Sequence, residues 1–407
     1  MALFNHLNQY NSGSNAGYES ERAYQIGHFT LTGYISGDTR KQDGTEYANI
    51  HDNGSYSNNT LYAAGVVSCG VRNDAGYEKY YNFADIDLND LHIRSMSHAG
   101  GLMSRVLSGK IYINNCNADG LTVEGGARIG GFVGTADSKA ADSGIHINVN
   151  VANAKSVLED IVIKQTDNGT NSYNYAGGII GSYFGDAISH GNSITEDSDN
   201  YASVLIRNVT ISGGDPEKNF IGSAYPADPQ GYAGGIIGNT EKAKGCLILD
   251  CSVEDINIYG RYAGGITAVT GTTNTSTFAR LRTVGCTIKA APDGSGNPQY
   301  TIKGACATGG VIGQNYDNAA DFDPIFDGKE YTVPVDDCLV EGYIIEQTVA
   351  QDYLGAGGIA GVNKVNTTMA NVKVKGCDII CNGSRNTIGS GGIIGSLHNN
   401  WSLSAYN

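Results

Sequence analysis

The chain has 407 residues, 57 of them Gly and 7 Pro, with only 16% charged residues and a formal net charge of −15. So acidic a chain, with no basic stripe, excludes nucleic acid and anionic membrane as partners, because both need a basic face. No run reaches the ~18 consecutive apolar residues of a membrane-spanning helix, and the 40% of apolar residues fall in short β-branched runs that can build a core.

Residues 1–60 are rich in Asn, Ser, Gly and Tyr, with Gly27-His-Phe-Thr-Leu-Thr-Gly33 the clearest strand-like stretch. They read as an N-terminal cap or an incomplete first coil. Met1-Ala-Leu-Phe-Asn-His-Leu-Asn-Gln9 has no basic n-region and no apolar core, so it is not a signal peptide. An extracellular or cell-surface protein would then be present here as a processed form or a fragment.

Residues 61–400 form a repeat array written in one phrase. Tyr175-Ala-Gly-Gly-Ile-Ile-Gly181 returns as Tyr232-Ala-Gly-Gly-Ile-Ile-Gly238 and, shortened, as Tyr262-Ala-Gly-Gly-Ile266. With Gly177-Gly178, Gly234-Gly235 and Gly264-Gly265, looser copies at Gly100-Gly101, Gly130-Gly131, Gly309-Gly310, Gly357-Gly358 and Gly391-Gly392 make eight pairs, and Tyr62-Ala-Ala-Gly-Val-Val67 is a decayed copy. The closest pairs are 30 residues apart and the widest 57, so the longer units carry insertions. Between the phrases run alternating segments such as Ile111-Tyr-Ile-Asn-Asn-Cys116, Leu247-Ile-Leu-Asp-Cys-Ser-Val253 and Val372-Lys-Val-Lys-Gly-Cys377. Period-two alternation bounded by Gly and Asn is a strand signal, and no stretch has the periodicity and caps of a long helix. Each unit therefore reads as three short strands and three corners, too small to bury its apolar face except by stacking on its neighbours. The predicted fold is all-β: a right-handed parallel β-helix (β-solenoid) of about 8–10 coils of three short strands, with loop insertions at the corners. Residues 401–407 are a C-terminal tail, with the sole Trp, Trp401, as a candidate plug.

Within the phrase, Gly is expected at a corner, for positive φ and for close approach of neighbouring backbones. Of the two apolar residues that follow, one is expected in the core and the next outside. The closing Gly (181, 238, 313, 361, 395) is expected to make the next corner, and Tyr175, Tyr232 and Tyr262 to stack. Cys116, Cys251 and Cys377 lie 14, 13 and 14 residues before their Gly-Gly pairs, and Cys286 and Cys338 sit in matching contexts. These five read as an inward ladder of buried thiols, Cys packing as a small hydrophobe. Disulfides between Cys246 and Cys251 or Cys377 and Cys381 are the alternative; no Cys-x-x-Cys pair points to zinc.

The phrase resembles the GLUG motif, a Gly-Gly-Leu-Val-Gly-type repeat of large bacterial surface proteins, including filamentous adhesins and the non-catalytic part of some IgA-specific peptidases. Ile stands here where the family has Leu-Val. The resemblance covers roughly residues 61–400 and implies a stalk or adhesin segment with no catalytic residues. The expected partner is a host or bacterial surface glycan or protein. A filament subunit stacking head to tail is one alternative, and a polysaccharide-degrading enzyme another.

For the enzyme, hydrolysis needs two carboxylates facing each other across a groove. Asp85, Asp87 and Asp90 in Ala84-Asp-Ile-Asp-Leu-Asn-Asp90, and Asp336-Asp337, are the candidates, and Asp85 and Asp87 would share an outward strand face. Ser189-His-Gly-Asn192 is the nearest match to the Gly-His-Gly of pectin-cleaving hydrolases, and it falls in an insertion. No cofactor is required. Calcium stays open at Asp167-Asn-Gly-Thr-Asn171, Asp293-Gly-Ser-Gly-Asn297 and Asp321-Phe-Asp323, though none has EF-hand spacing and these are also ordinary turn residues. Binding is expected in the insertions at 182–203, 213–231, 291–301 and 315–334, on the loop aromatics Tyr183, Phe184, Tyr201, Phe220 and Tyr225.

Overall fold

The computed structural model describes residues 7–9, 24–36, 62–67, 71–73, 80–106, 110–136, 144–166, 174–183, 203–240, 245–270, 281–316, 323–349, 354–382, 389–397 and 403–406. Among these there is no helix, and the strands form one sheet of 31, one of ten and one two-stranded hairpin. Both large sheets are parallel. Each strand pairs with its equivalents in the unit before and the unit after, an arrangement consistent with a β-solenoid.

The repeated phrase sets the register. Tyr62, His98, Arg128, Tyr175, Tyr232, Tyr262, Ala307, Gly355 and Gly389 follow one another in a single ladder, so the decayed copy stacks with the rest. The core runs through the stack in similar columns. One of them is Leu88, Ala118, Leu158, Ile211, Val253, Ile288, Val340 and Val374. Tyr24–Ser36, within the irregular first 60 residues, pairs along most of Tyr80–Arg94. Leu403–Tyr406 continues the stack on Thr367–Ala370.

Corners with positive φ belong to Asx residues rather than to the Gly-Gly pairs. Asp85, Asn115, Asn208, Asp250, Asp337 and Asn371 have φ between 48° and 54°, and Gly285 has 66°. All occupy one column, immediately before Ile86, Cys116, Val209, Cys251, Cys338, Val372 and Cys286. A second column at the following corner holds Asp90, Gly120, Asp160, Asp255, Gly342 and Gly376, again at positive φ. Asn and Asp tolerate this region best after Gly, and these three types hold every named position; His28, with φ 62° opposite Asp85, is the exception in the first column.

The phrase glycines have no positive φ among the described residues, which corrects half of their expected role. What they supply is space. A β-carbon at Gly178 would lie 2.1 Å from the carbonyl oxygen of Gly235, and one at Gly235 or Gly265 would lie 2.0 Å from that of Gly265 or Gly310. The first and closing glycines face each other across the fold: a β-carbon at Gly130 or Gly177 would fall 2.7 Å from the amide nitrogen of Gly181 or Gly238. The closing glycine is therefore no corner; Gly181 lies inside the strand Ile180–Tyr183. Ile179 and Ile180, expected to split between core and solvent, are both 0% exposed. With both backbones in contact at the bend between Tyr175–Gly177 and Ile180–Tyr183, both side chains stay inside.

The thiol ladder holds four of the five expected members. Cys251, Cys286 and Cys338 stack directly, with the amides of Thr287, Leu339 and Lys373 donating to their carbonyls at 2.9, 3.0 and 2.8 Å. Cys116 occupies the same column nearer the N-terminus, one residue before Asn117, which pairs with Asp87. Burial pushes the Cys116 thiol up to about 12. The preceding thiol in the stack, Cys251 for Cys286 and Cys286 for Cys338, and then burial raise those of Cys286 and Cys338, so these are inert packing groups. Cys377 belongs to the next corner: it precedes Asp378, which pairs with Ile344, and so stacks after Tyr343 and is only half-buried. Its matching distance to Gly391 arises because that unit connects over residues 382–388, against 126–127 in the unit of Cys116. No disulfide joins Cys246 to Cys251 or Cys377 to Cys381.

Candidate functional site

Two of the four insertions proposed to carry ligands are mostly described, and a third from residue 323 onward. The hairpin Ile325–Phe326 with Lys329–Glu330 lies back on the stack: Phe326 and Tyr331 cover the outward apolar residues Leu205, Leu247, Leu249 and Val284. Arg282, wholly buried beneath it, donates from Nε to the Tyr331 carbonyl at 3.1 Å and lies 3.6 Å from Asp323. The segment at 291–301 closes on itself, with the Asp293 carboxylate accepting the amides of Ser295 and Asn297, each at 2.8 Å. Those bonds, both to Oδ1, hold the Asp293 carboxyl below its ordinary range and make the segment an ordinary Asp-capped turn. Asp167–Asn171 and Asp321 lie outside the described residues. Among the described residues no group of three His, Cys, Asp or Glu side chains is placed to hold a metal ion.

The carboxylates weighed for hydrolysis are spent on turns and ladders. Asp85 and Asp90 are left-handed corner residues, so Asp85 and Asp87 do not alternate along one regular strand face. Asp85 accepts from Asn115 at 3.2 Å and Asp87 from Asn117 at 3.1 Å. Asp337 is a corner residue, and Asp336 accepts from Asn371 at 2.9 Å. Ser189–Asn192 lies outside the described residues.

The loop aromatics separate. Tyr183 is 1% exposed and sits in the core cluster, which corrects its reading as a surface aromatic. Phe184 and Tyr201 lie outside the described residues. Tyr225 is 45% exposed on the turn after Phe220–Ser223. Phe220 is not on a loop: it is half-buried on the outer face of the large sheet, paired with Val162 and Asn257. Its ring lies 6.0 Å from that of Tyr259. Tyr259 was legible in Ile256-Asn-Ile-Tyr-Gly260, where the alternation turns Asn257 and Tyr259 outward while Ile256 and Ile258 enter the core. One column on this face reads Arg94, Glu124, Lys164, Gly222, Tyr259, Lys303 and Glu346. Glu124 lies 2.9 Å from Lys164, 3.5 Å from His92 and 4.0 Å from Arg94, and Lys303 lies 3.1 Å from Glu346. Hydrogen bonds from His92 and then Lys164 outweigh burial and hold Glu124 at about 2, so it is a fixed anion and not a proton donor.

The column of residues heading the phrase carries the one strongly perturbed histidine among the described residues. Tyr175 and Tyr232 rings are 5.0 Å apart, Tyr232 and Tyr262 5.1 Å, and Tyr62 and His98 5.2 Å. His98 is buried, its Nδ1 2.6 Å from the Ser97 hydroxyl. Burial, with Arg128 and Arg105 nearby, lowers its pKa from 6.5 to about 3. Between those values the unfolded chain binds a proton that the folded protein does not, so stability falls as pH drops below 6.5, by at most about 1.4 kcal/mol per pH unit. His98→Tyr, which places there the residue heading four other copies, is expected to flatten this dependence. Urea midpoints at pH 7 and pH ~4.5 check it; equal acid losses in both proteins would show that His98 is not the group responsible.

No family model matches the sequence, and neither a curated protein nor a solved structure matches it.

Proposed function

We propose that the chain is a closed, right-handed β-solenoid serving as a non-enzymatic stalk or adhesive segment of a bacterial surface or secreted protein. The observation that supports this most is where the repeated phrase goes. Each phrase glycine pair from Gly100-Gly101 to Gly357-Gly358 has the backbone of the next unit packed against it, leaving no cradle for a ligand there. The right hand is the one connections between parallel strands adopt, and the resemblance to GLUG-motif surface proteins agrees with a stalk. An enzyme reading lacks support, because the carboxylates best placed in the sequence are bound in corners and ladders.

The test is incubation with neutral and acidic polysaccharides, following both binding and new reducing or unsaturated ends. Binding without turnover is the expected result. Turnover that disappears in Asp85→Asn or Asp87→Asn protein would replace this reading with the enzyme.

A further inference from the structure

We propose that the outer sheet face around Phe220 and Tyr259 is a stacking platform for a neutral polysaccharide; the inference rests on the adhesive reading above and gives it a site and a ligand class. Four observations converge here. Phe220 and Tyr259 sit on consecutive rungs, with ring centroids 6.0 Å apart and planes at 41°, both half-buried on the outer face of the parallel sheet. Rigid strands hold them in register, Phe220 opposite Asn257 and Gly222 opposite Tyr259. Gly222, the residue between Lys164 and Tyr259 in its column, is buried, and a β-carbon there would fall 2.0 Å from the Tyr259 carbonyl oxygen, so the rung bearing Tyr259 is seated closely on the one before it. Finally, among the described residues no hydrogen bond is made by the Tyr259 hydroxyl, so a polar group stands at the edge of an apolar surface.

This is the chemistry a pyranose meets: a C–H face to lie on a ring, and hydroxyls to pair with a phenol. The charges around it select among sugars. Lys164 is held by Glu124 at 2.9 Å and Lys303 by Glu346 at 3.1 Å, so the cations flanking the rings are matched by anions on the same face. Arg94 and Lys164 share Glu124 and Lys303 faces Glu346, so an acidic glycan meets a carboxylate beside each cation of this column, and the chain as a whole, at −15, repels it. A neutral glycan pays neither cost. The opposing view, that the two rings form only a cross-strand pair stabilising the sheet, predicts an effect on folding and none on binding.

Affinity electrophoresis of the whole chain through gels containing dextran, mannan, xylan or laminarin, with polygalacturonate and alginate as acidic comparisons, decides between them. Retardation by at least one neutral polymer is expected, little changed by salt. Phe220→Leu with Tyr259→Leu should weaken it by about tenfold with the thermal midpoint little changed, and Tyr259→Phe should weaken it less. A double variant that binds as wild type overturns the platform while leaving an adhesive segment in place. So does retardation by acidic polymers alone, or by none of the six. Release of products from any polymer overturns the adhesive reading itself.

Discussion

Gly235→Ala is expected to cost about 3 kcal/mol or more, whereas Gly392→Ala should leave stability unchanged or raise it by about 0.5 kcal/mol. Both glycines are second in their pairs, and neither has positive φ. They differ in what a β-carbon would meet, Gly235 being buried between rungs and Gly392 exposed. At Gly235 it would lie 2.0 Å from the Gly265 carbonyl oxygen and 2.9 Å from a methyl of Val253; at Gly392 nothing lies within 4 Å. The Gly265 carbonyl is fixed by its own rung, and Gly235 is tied to the same neighbour through its amide and the Gly264 carbonyl at 3.1 Å. The clash cannot relax without separating two rungs and breaking bonds along both. Because repeat arrays are held by nearest-neighbour contacts, the Gly235 variant is also expected to unfold in two steps, parted at that rung. Urea unfolding of the two variants checks this; equal stabilities would show that backbone approach is not what the phrase provides.

Arg282→Ala should cost about 2–3 kcal/mol and open the 323–334 segment to protease. The guanidinium holds that segment by donating to the Tyr331 carbonyl at 3.1 Å and to its own strand at Leu281 at 3.2 Å, with no exposed surface. Its loss leaves two carbonyls short of a charged donor and a void between hairpin and stack. Arg207→Ala is the natural comparison. Arg207 reaches the same hairpin through Asp327 at 3.0 Å, but both groups are well exposed, so under about 1 kcal/mol is expected. Cleavage in the Arg207 variant as fast as in the Arg282 variant would show that the buried cation is not the fastening.

The stacking was legible because the phrase and the alternating segments recur in the same order, and parallel ladders preserve order. The reason for each glycine was not. Positive φ is a local property, and the residues that carry it, Asp85, Asn115, Asp250 and their equivalents, are ordinary turn formers that also invite a catalytic or ion-binding reading. Close approach depends on a backbone about 30 residues or more away, which a single copy of the phrase does not reveal. Cys377 misled for a related reason: counting along the chain treats a longer connection and a shifted corner alike. Tyr183 reads as the start of a loop, yet it ends the strand that the closing glycine lets press inward. Phe220 was placed in an insertion because the Asp215–Asn219 turn before it hides a strand only four residues long.

The facing of first and closing glycines has a consequence for how such a chain can change length. Each copy contributes both halves of the contact, one to the unit on either side. Duplicating or excising a whole unit therefore presents the same two surfaces to each other at the new junction, whatever lies in its connecting segments. Loss of part of a unit leaves a half without its complement. The array can grow or shrink by whole units, while its connections vary independently in length and sequence.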